Sequence, residues 1–246
     1  MGNMAGFRRA WIEAIEYQAQ WRQYLEQLAE DTPENKGKAA EKLPPKRNLQ
    51  LETLVGVLEG EIRVHNHCYR ADEMAQMIDM SKEFGYSISA FHHAVEAYKV
   101  APLLQQEGIC AVMWADWWGF KQEAFDRVRE NLGLVDFAKA CAVIHSDDAL
   151  GIQRLNQELA KAMVAGNRLG LNITREQALT WATLNAAKSL GIDGQTGSLK
   201  KGKQADVVLW DGDPFSVYSR TLSVWIDGTK YFDRRLQAGQ STSAST

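Results

Sequence analysis

The chain has 246 residues, of which 45% are apolar, enough for one domain or one domain with a small appendage. Its formal net charge of −3 excludes the strongly basic surface that is typical of proteins that bind nucleic acids or anionic membranes. No apolar run approaches the ~20 residues that a membrane-spanning helix needs. The N-terminal MGNMAGFRRAW lacks the apolar centre of a signal peptide. We therefore predict no nucleic-acid and no membrane partner.

Residues 1–48 are predicted to form an N-terminal helix and a linker. Residues 7–31 carry apolar residues at helical spacing, with a stripe of aromatic residues that is most simply a packing face. Residues 32–48 contain three of the five prolines and many lysines, which predicts an exposed loop.

Residues 49–190 alternate between apolar runs and amphipathic segments. A short helix ending at Gly60 comes first, and the four runs that follow end in VHNHC, AFHHA, AVMW and VIHSDD. A helical pattern follows each run, including one over residues 120–131, and two short helices close the segment, the first capped by Thr174. This alternation predicts an α/β fold of right-handed βαβ units around a parallel sheet.

The C-terminal part changes character. Residues 191–235 are rich in turn residues and short β-type runs, which predicts a small antiparallel unit. Residues 236–246, which include STSAST, are predicted to be a disordered tail.

The three cysteines are an odd number and lie far apart in the sequence, at Cys68, Cys110 and Cys141. This pattern argues against a disulfide framework and against a cysteine-rich zinc site. Cys68 lies beside two histidines, but we predict that it fills space at the end of a strand rather than binding a metal.

All five histidines lie at the downstream ends of predicted strands, where two aspartates accompany them. They are His65 and His67, His92 and His93, and His145 with Asp147 and Asp148. The carboxyl ends of parallel strands carry the active sites of βα folds. Histidine is the commonest metal ligand in proteins and carboxylates are its usual partners, so the pattern predicts a metal-dependent active site.

The C-terminal part carries a family resemblance. The sequence GSLKKGKQADVVLWD at 197–211 resembles the segment that closes metal-dependent amidohydrolases of the imidazolonepropionase-like group. The preceding TLNAAKSLGI at 183–192 is similar to a helix of that family, with Ala186 where the family usually has proline. Together with VIHSDD and AFHHAVEAYK, the resemblance covers roughly residues 50–235.

The resemblance implies a site at the C-terminal face of a (β/α)8 barrel, with histidines after strands 5 and 6 and an aspartate after strand 8. On this alignment His65 matches the strand 5 ligand, with His67 as the alternate, and His93 matches strand 6. Asp147 matches strand 8, both as a metal ligand and as the catalytic residue that accepts a proton from water. His92 and His145 are expected to be neighbours of the ligands.

The cofactor implied is a divalent metal, with zinc preferred and iron or manganese as alternatives, because several metals accept nitrogen and oxygen ligands. The reaction implied is hydrolysis of C–N bonds other than ordinary protein peptide bonds, in a small-molecule cyclic amide, amidine or small peptide. Trp117 and Trp118 follow the third strand, where they either line a substrate pocket or form a packed aromatic loop.

The predicted strands number four, whereas a complete barrel has eight. The sequence therefore resembles the C-terminal half of a (β/α)8 barrel, at residues 49–190, with part of a small β-sandwich at 191–235. We expect such a chain to form a homo-oligomer or to associate with a complementing N-terminal half, because an open sheet leaves an edge strand unpaired. The alternative is a truncated, catalytically inactive remnant that acts only as a metal-binding or interaction fragment.

Overall fold

The computed structural model describes residues 2–29 and 43–236. The chain divides into two compact units, one formed by Met1–Val64 with Met77–Ile88, the other by His65–Gln76 with Ser89–Thr246. Most of the predicted linker and nearly all of the predicted C-terminal tail lie outside the described residues. Within those residues, no helix combines the length and the apolar character needed to cross a bilayer.

The first unit contains two helices, α1 (Gly2–Ala29) and α2 (Leu49–Leu58). The aromatic stripe of α1 packs inside this unit, as predicted. Trp11 is buried, and its ring lies 4.3 Å from the ring of Tyr86. The Asn48 side chain begins α2, because its oxygen accepts the hydrogen bonds of two otherwise unpaired backbone N–H groups.

The second unit is built on a four-stranded sheet of order β1-β2-β3-β4. Its strands are β1 (Val64–Cys68), β2 (Ile88–His93), β3 (Cys110–Met113) and β4 (Cys141–Ile144). Strand β3 pairs in parallel with both β2 and β4, so that Met113 is in register with His93 on one side and Ile144 on the other. The predicted α/β class with a parallel sheet is confirmed.

Helices connect and cover these strands. They are α4 (Ala97–Glu107), α5 (Asn131–Phe137), α6 (Leu155–Arg168), α7 (Arg175–Ala182) and α8 (Leu184–Leu190). A further helix, α3 (Ala71–Phe84), follows β1 in the chain and has residues in both units. Glycine follows α3 and α4, at Gly85 (φ +76°) and Gly108 (φ +67°), where a left-handed residue stops the helix. Thr174 and Gln177 form a capping box at the start of α7, which confirms the predicted cap.

The helix predicted over residues 120–131 is wrong. The structure has only a 3-10 turn there, at Gln122–Ala124, and α5 begins after it. Tertiary contacts explain the difference. Asp126 bonds the Lys99 ammonium at 2.8 Å, and buried Arg127 donates to the carbonyl oxygen of the residue that follows β3. These contacts hold the segment as a loop against its local helical preference.

The C-terminal part forms a separate three-stranded sheet of order β5-β6-β7, with strands β5 (Val207–Trp210), β6 (Thr221–Ile226) and β7 (Thr229–Asp233). Both pairings are antiparallel, as predicted. Asp206 fixes the turn beside the sheet, because its side chain accepts bonds from the Thr196 hydroxyl and the Asp227 backbone N–H.

The expectation that the cysteines form no disulfide is also wrong. Cys110 and Cys141 are bonded, with their Cα atoms 4.4 Å apart. They are the first residues of β3 and β4 and face each other in the register of the two parallel strands. Their separation of 31 residues, which looks wide in sequence, is the length of one strand–helix repeat. Cys68 is free and buried.

Thiol titration checks this pairing. In denaturant without reductant, we expect the purified, air-oxidised chain to react with about one equivalent of a thiol reagent, because a disulfide removes two of its three cysteines. Prior reduction should raise the value to about three. The Cys110→Ser variant should titrate with about two equivalents in either state. Three equivalents in the unreduced protein would contradict the pairing.

Candidate functional site

The structure brings all five histidines together. Four of them lie at or directly after the carboxyl ends of three strands, whereas His65, predicted at a strand end, lies near the start of β1. His65 and His67 lie in β1, His92 and His93 end β2, and His145 directly follows β4. Neighbouring rings in the group have centroids 4.8 to 6.2 Å apart. The predicted juxtaposition therefore forms, because residues at equivalent strand ends meet along one edge of a parallel sheet.

Hydrogen bonds join four of these rings in two pairs. His65 Nδ1 lies 2.9 Å from His92 Nε2, and His67 Nδ1 lies 2.8 Å from His93 Nε2. In each pair one nitrogen donates and the other accepts, according to the tautomer. The ring that contacts His93 is thus His67, whereas the family alignment favoured His65.

Asp147 approaches the same group from the loop after β4. Its Oδ2 atom lies 3.8 Å from His93 Nδ1, which is longer than a hydrogen bond, and its side chain is 55% exposed. Both residues have positive φ, +68° for His93 and +50° for Asp147, a backbone conformation that costs free energy outside glycine. Asp148 has a different role, since its carboxylate accepts the Gly151 N–H in the following turn.

Burial controls the charge of the inner histidines. It lowers the pKa of His93 to about 4 and that of His145 to about 3, and the positive charges of neighbouring histidines act in the same direction. Burial also lowers the pKa of His92. These imidazoles are therefore neutral near pH 7, the form in which a ring nitrogen offers a lone pair to a metal.

Two ring nitrogens in the cluster have no hydrogen-bond partner among the described residues. They are His93 Nδ1 and His145 Nε2, and both are fully buried. Buried polar atoms are rarely left unpaired in native proteins, and an ion or water is a usual explanation where they are. Together with neutral imidazoles and a carboxylate, these atoms fit a divalent cation in their chemistry.

The arrangement of the donors is a separate matter. In the part of the chain that the structure describes, no three His, Cys, Asp or Glu side chains are placed to hold one ion. The two imidazole pairs account for this, because each ring directs a nitrogen at another ring. The metal-binding roles of His65, His93 and Asp147 therefore remain predictions.

Asn131 supports the histidine cluster, and sequence reasoning missed it. Its side chain is 1% exposed, donates to the carbonyl oxygens of Ala94 (3.0 Å) and Val95 (3.1 Å), and accepts the Tyr98 N–H (2.9 Å). These bonds hold the turn that directly follows His93. An asparagine at a helix start is ordinary in sequence, so no pattern marked it.

The aromatic loop after β3 divides into two parts. Trp117 stacks on buried Trp114 at 5.4 Å, beside the histidines. Trp118 instead contacts Phe125, and its indole N–H donates to the Phe125 carbonyl oxygen. Of the two predicted tryptophans, Trp117 is therefore connected to the cluster, through Trp114, whereas Trp118 packs elsewhere in the loop.

A cavity of about 550 Å³ lies in the first unit, between α1 and α2. Tyr17, Trp21 and Glu52 are among its lining residues, and no predicted site residue is. Its lining contains carboxylates but no histidine.

Comparison with known proteins gives a consistent family. The model of the Amidohydrolase family matches residues 121–235. The amidohydrolase tasK of Hapsidospora irregularis is 31% identical over 239 residues, which cover 95% of this chain. A crystal structure of an amidohydrolase from Thermotoga maritima superposes with a TM-score of 0.77 at 26% identity, again over 95% of this chain. The chain belongs to the amidohydrolase superfamily.

Other relatives match over a short stretch or share only the fold. The imidazolonepropionase of Shewanella sp. (strain W3-18-1) is 64% identical over 39 residues, or 16% of this chain and 10% of that enzyme. An adenosine deaminase from Xanthomonas campestris, whose structure contains zinc, shares the fold with a TM-score of 0.59 at 17% identity, over 79% of this chain.

The superfamily relatives are longer than this chain. It spans 23% of the Hapsidospora protein, 56% of the Thermotoga chain and 52% of the Xanthomonas chain.

Proposed function

We propose that this chain carries the C-terminal part of the active site of a metal-dependent hydrolase that cleaves C–N bonds in small molecules. The single observation that carries the proposal is the cluster of five histidines and Asp147 at the strand ends, with two buried ring nitrogens left unpaired. The substrate class is a cyclic amide, an amidine or a small peptide, as the family resemblance implies.

The residues proposed to hold the metal are His93, Asp147 and one histidine of β1. His67 is proposed for the third position in place of His65, because His67 contacts His93 directly and His65 contacts His92. A divalent ion bound there supplies a water of lowered pKa and polarises the substrate carbonyl. Zinc is the first choice, since imidazole and carboxylate ligands suit it, and iron or manganese are the alternatives.

Asp147 is proposed to move the proton. Its side chain is more than half exposed, and its Oδ2 atom lies 3.8 Å from His93 Nδ1. It accepts a proton from the attacking water as oxygen bonds to the carbonyl carbon, and it returns that proton to the nitrogen as the C–N bond breaks. From an amide the products are a carboxylic acid and an amine, which stay in one molecule when the amide is cyclic. From an amidine, in which water attacks the amidine carbon, they are an amide and an amine or ammonia.

The four-stranded sheet is proposed to be half of a (β/α)8 barrel, and β5–β7 part of a β-sandwich. The sheet order, and structural relatives about twice as long as this chain, support this. An N-terminal half or a second copy of the chain would then cover the open sheet edge. Light scattering after gel filtration distinguishes a monomer from these assemblies.

A second candidate is an inactive interaction fragment. The pairing of the imidazoles with one another favours it, because no three donors in the described residues are placed for one ion. A fragment of this kind would keep the fold and the partner surface without hydrolysis.

Product release tests the first candidate. The chain, loaded with zinc, manganese or iron in turn, is incubated with a lactam, an amidine and an N-acyl amino acid, and the amine or acid product is measured. We expect turnover that chelation abolishes and that Asp147→Asn lowers on the order of a hundredfold, the usual size of a lost proton-transfer step. Turnover that resists chelation and both Asp147→Asn and His93→Ala would contradict the proposal, and no turnover with any class would favour the second candidate.

A further inference from the structure

The segment after β3 forms an aromatic surface, made of Trp114, Trp117 and Phe120, beside the histidine cluster. Buried Trp114 stacks on His93 at 4.6 Å, and its indole N–H donates to the Ser146 carbonyl oxygen, next to Asp147. Trp117 stacks on the outer face of Trp114, with 10° between the rings. Large aromatic side chains are costly to leave in water, yet Trp117 is 37% exposed.

The ring of Phe120 stands nearly perpendicular to the two tryptophan rings of this aromatic surface. Its ring meets both Trp114 and Trp117 edge to face, at 5.5 and 5.8 Å between centroids, and 52% of the residue is exposed. A flat group could stack on one ring and touch the edge of the other, the two geometries that aromatic pairs prefer.

Lys121 places a positive charge beside Phe120. Its ammonium lies 3.9 Å from the centre of the Tyr69 ring, which in turn stacks on His93 at 4.9 Å. Among the described residues its contacts are with the rings of Tyr69 and Phe120, and it forms no ion pair with a carboxylate there. An exposed ammonium without an anionic partner is suited to bind the carboxylate of a ligand.

We propose that Trp117, Phe120 and Lys121 form the specificity site for a substrate that has a flat apolar group and a free carboxylate. The flat group stacks on Trp117 and Phe120, the carboxylate bonds the Lys121 ammonium, and the C–N bond lies over His93 and Asp147. The substrate class is then an N-acyl amino acid or small peptide with an aromatic side chain. This inference rests on the proposed function and narrows its substrate class.

Titration calorimetry with three matched ligands tests the site without any need for turnover. N-acetyl-L-phenylalanine carries both groups, N-acetyl-L-phenylalaninamide lacks the carboxylate, and N-acetyl-L-alanine lacks the ring. We expect the first to bind at least tenfold more tightly than either of the others, since a charge-assisted bond and an aromatic stack each contribute about tenfold.

Variants assign the two contributions. Lys121→Met should weaken binding of N-acetyl-L-phenylalanine about tenfold and leave the amide unchanged, because it removes the charge and keeps the length of the side chain. Trp117→Ala should weaken binding of both phenylalanine ligands about tenfold. Trp118→Ala, in the same loop but stacked on Phe125, is the control and should change neither by more than about twofold. Unfolding temperatures confirm that each variant is folded.

Equal affinities for the three ligands, no measurable binding, or equal losses in Trp117→Ala and Trp118→Ala would overturn the inference. Hydrolysis is measured separately, as release of phenylalanine. Selective binding without hydrolysis would count against the proposed function and support the ligand site. Hydrolysis of a lactam or an amidine without selective binding of N-acetyl-L-phenylalanine would support the proposed function and overturn the ligand site.

Discussion

Replacing Asn131 with alanine is expected to lower the free energy of unfolding by about 4 kcal/mol. The substitution removes the Asn131 partner of the Val95 carbonyl oxygen and of the Tyr98 N–H in a buried turn, whereas the Ala94 carbonyl oxygen keeps the Ala97 N–H. Each buried group that is left unpaired costs about 1–3 kcal/mol. The turn also contains positive φ at His93 and at Ala94 (+38°), so the backbone has little intrinsic preference for its shape. Urea denaturation, monitored by tryptophan fluorescence, measures the loss in the free energy of unfolding.

Asn185→Ala is the matched control. Asn185 is also buried, at 8% exposure, but among the described residues its side chain makes one hydrogen bond, to the Ala142 carbonyl oxygen at 2.8 Å. Its loss should therefore be smaller, about 1–2 kcal/mol. If Asn131→Ala destabilises the chain no more than Asn185→Ala does, the side chain does not hold the His93 turn.

Replacing Gly197 with alanine is expected to destabilise the chain by about 3 kcal/mol. Gly197 begins the segment that resembles the amidohydrolase family, and two costs add at this position. Its φ of +83° is unfavourable for alanine. An added Cβ would also lie 2.7 Å from Ala187 Cβ and 3.1 Å from the Leu184 Cα, backbone that can move little.

Gly202 separates these two costs. It has a similar φ of +93°, but an added Cβ there meets nothing within 4 Å. Gly202→Ala should therefore show only the backbone cost, about 1–2 kcal/mol. The difference between the two variants, read from thermal or urea unfolding, measures the close approach. Equal losses would mean that the contact between Gly197 and α8 relaxes freely.

Periodicity and helix-stop residues were sufficient to predict most of the fold. Local sequence predicts the strands that end at His93 and Ile144, because each is an apolar run. It also predicts where two helices stop, because a glycine follows each of them, at Gly85 and Gly108. The antiparallel C-terminal sheet follows from its turn-rich pattern in the same way.

Two features of the fold depended on contacts that the sequence does not display. The 120–131 segment has helical spacing, but bonds from distant residues such as Lys99 keep it as a loop. The Cys110–Cys141 bond depends on the register of two parallel strands.

The candidate site shows the same limit. The clustering of the histidines follows from strand ends, which sequence locates. Which ring contacts which is a matter of side-chain direction, so the contact of His67 with His93 was not foreseen. The three bonds of Asn131 to the turn after His93 are equally invisible in sequence.

The most direct test of the central claim, a metal centre at the strand ends, is the metal content of the chain purified without chelator. Elemental mass spectrometry should find about one divalent ion per chain, since two imidazoles and a carboxylate with water make a workable site. The His93→Ala and His67→Ala variants should lose the ion, and His65→Ala should retain it. Metal at the same low level in the unaltered chain and in His93→Ala would contradict the account.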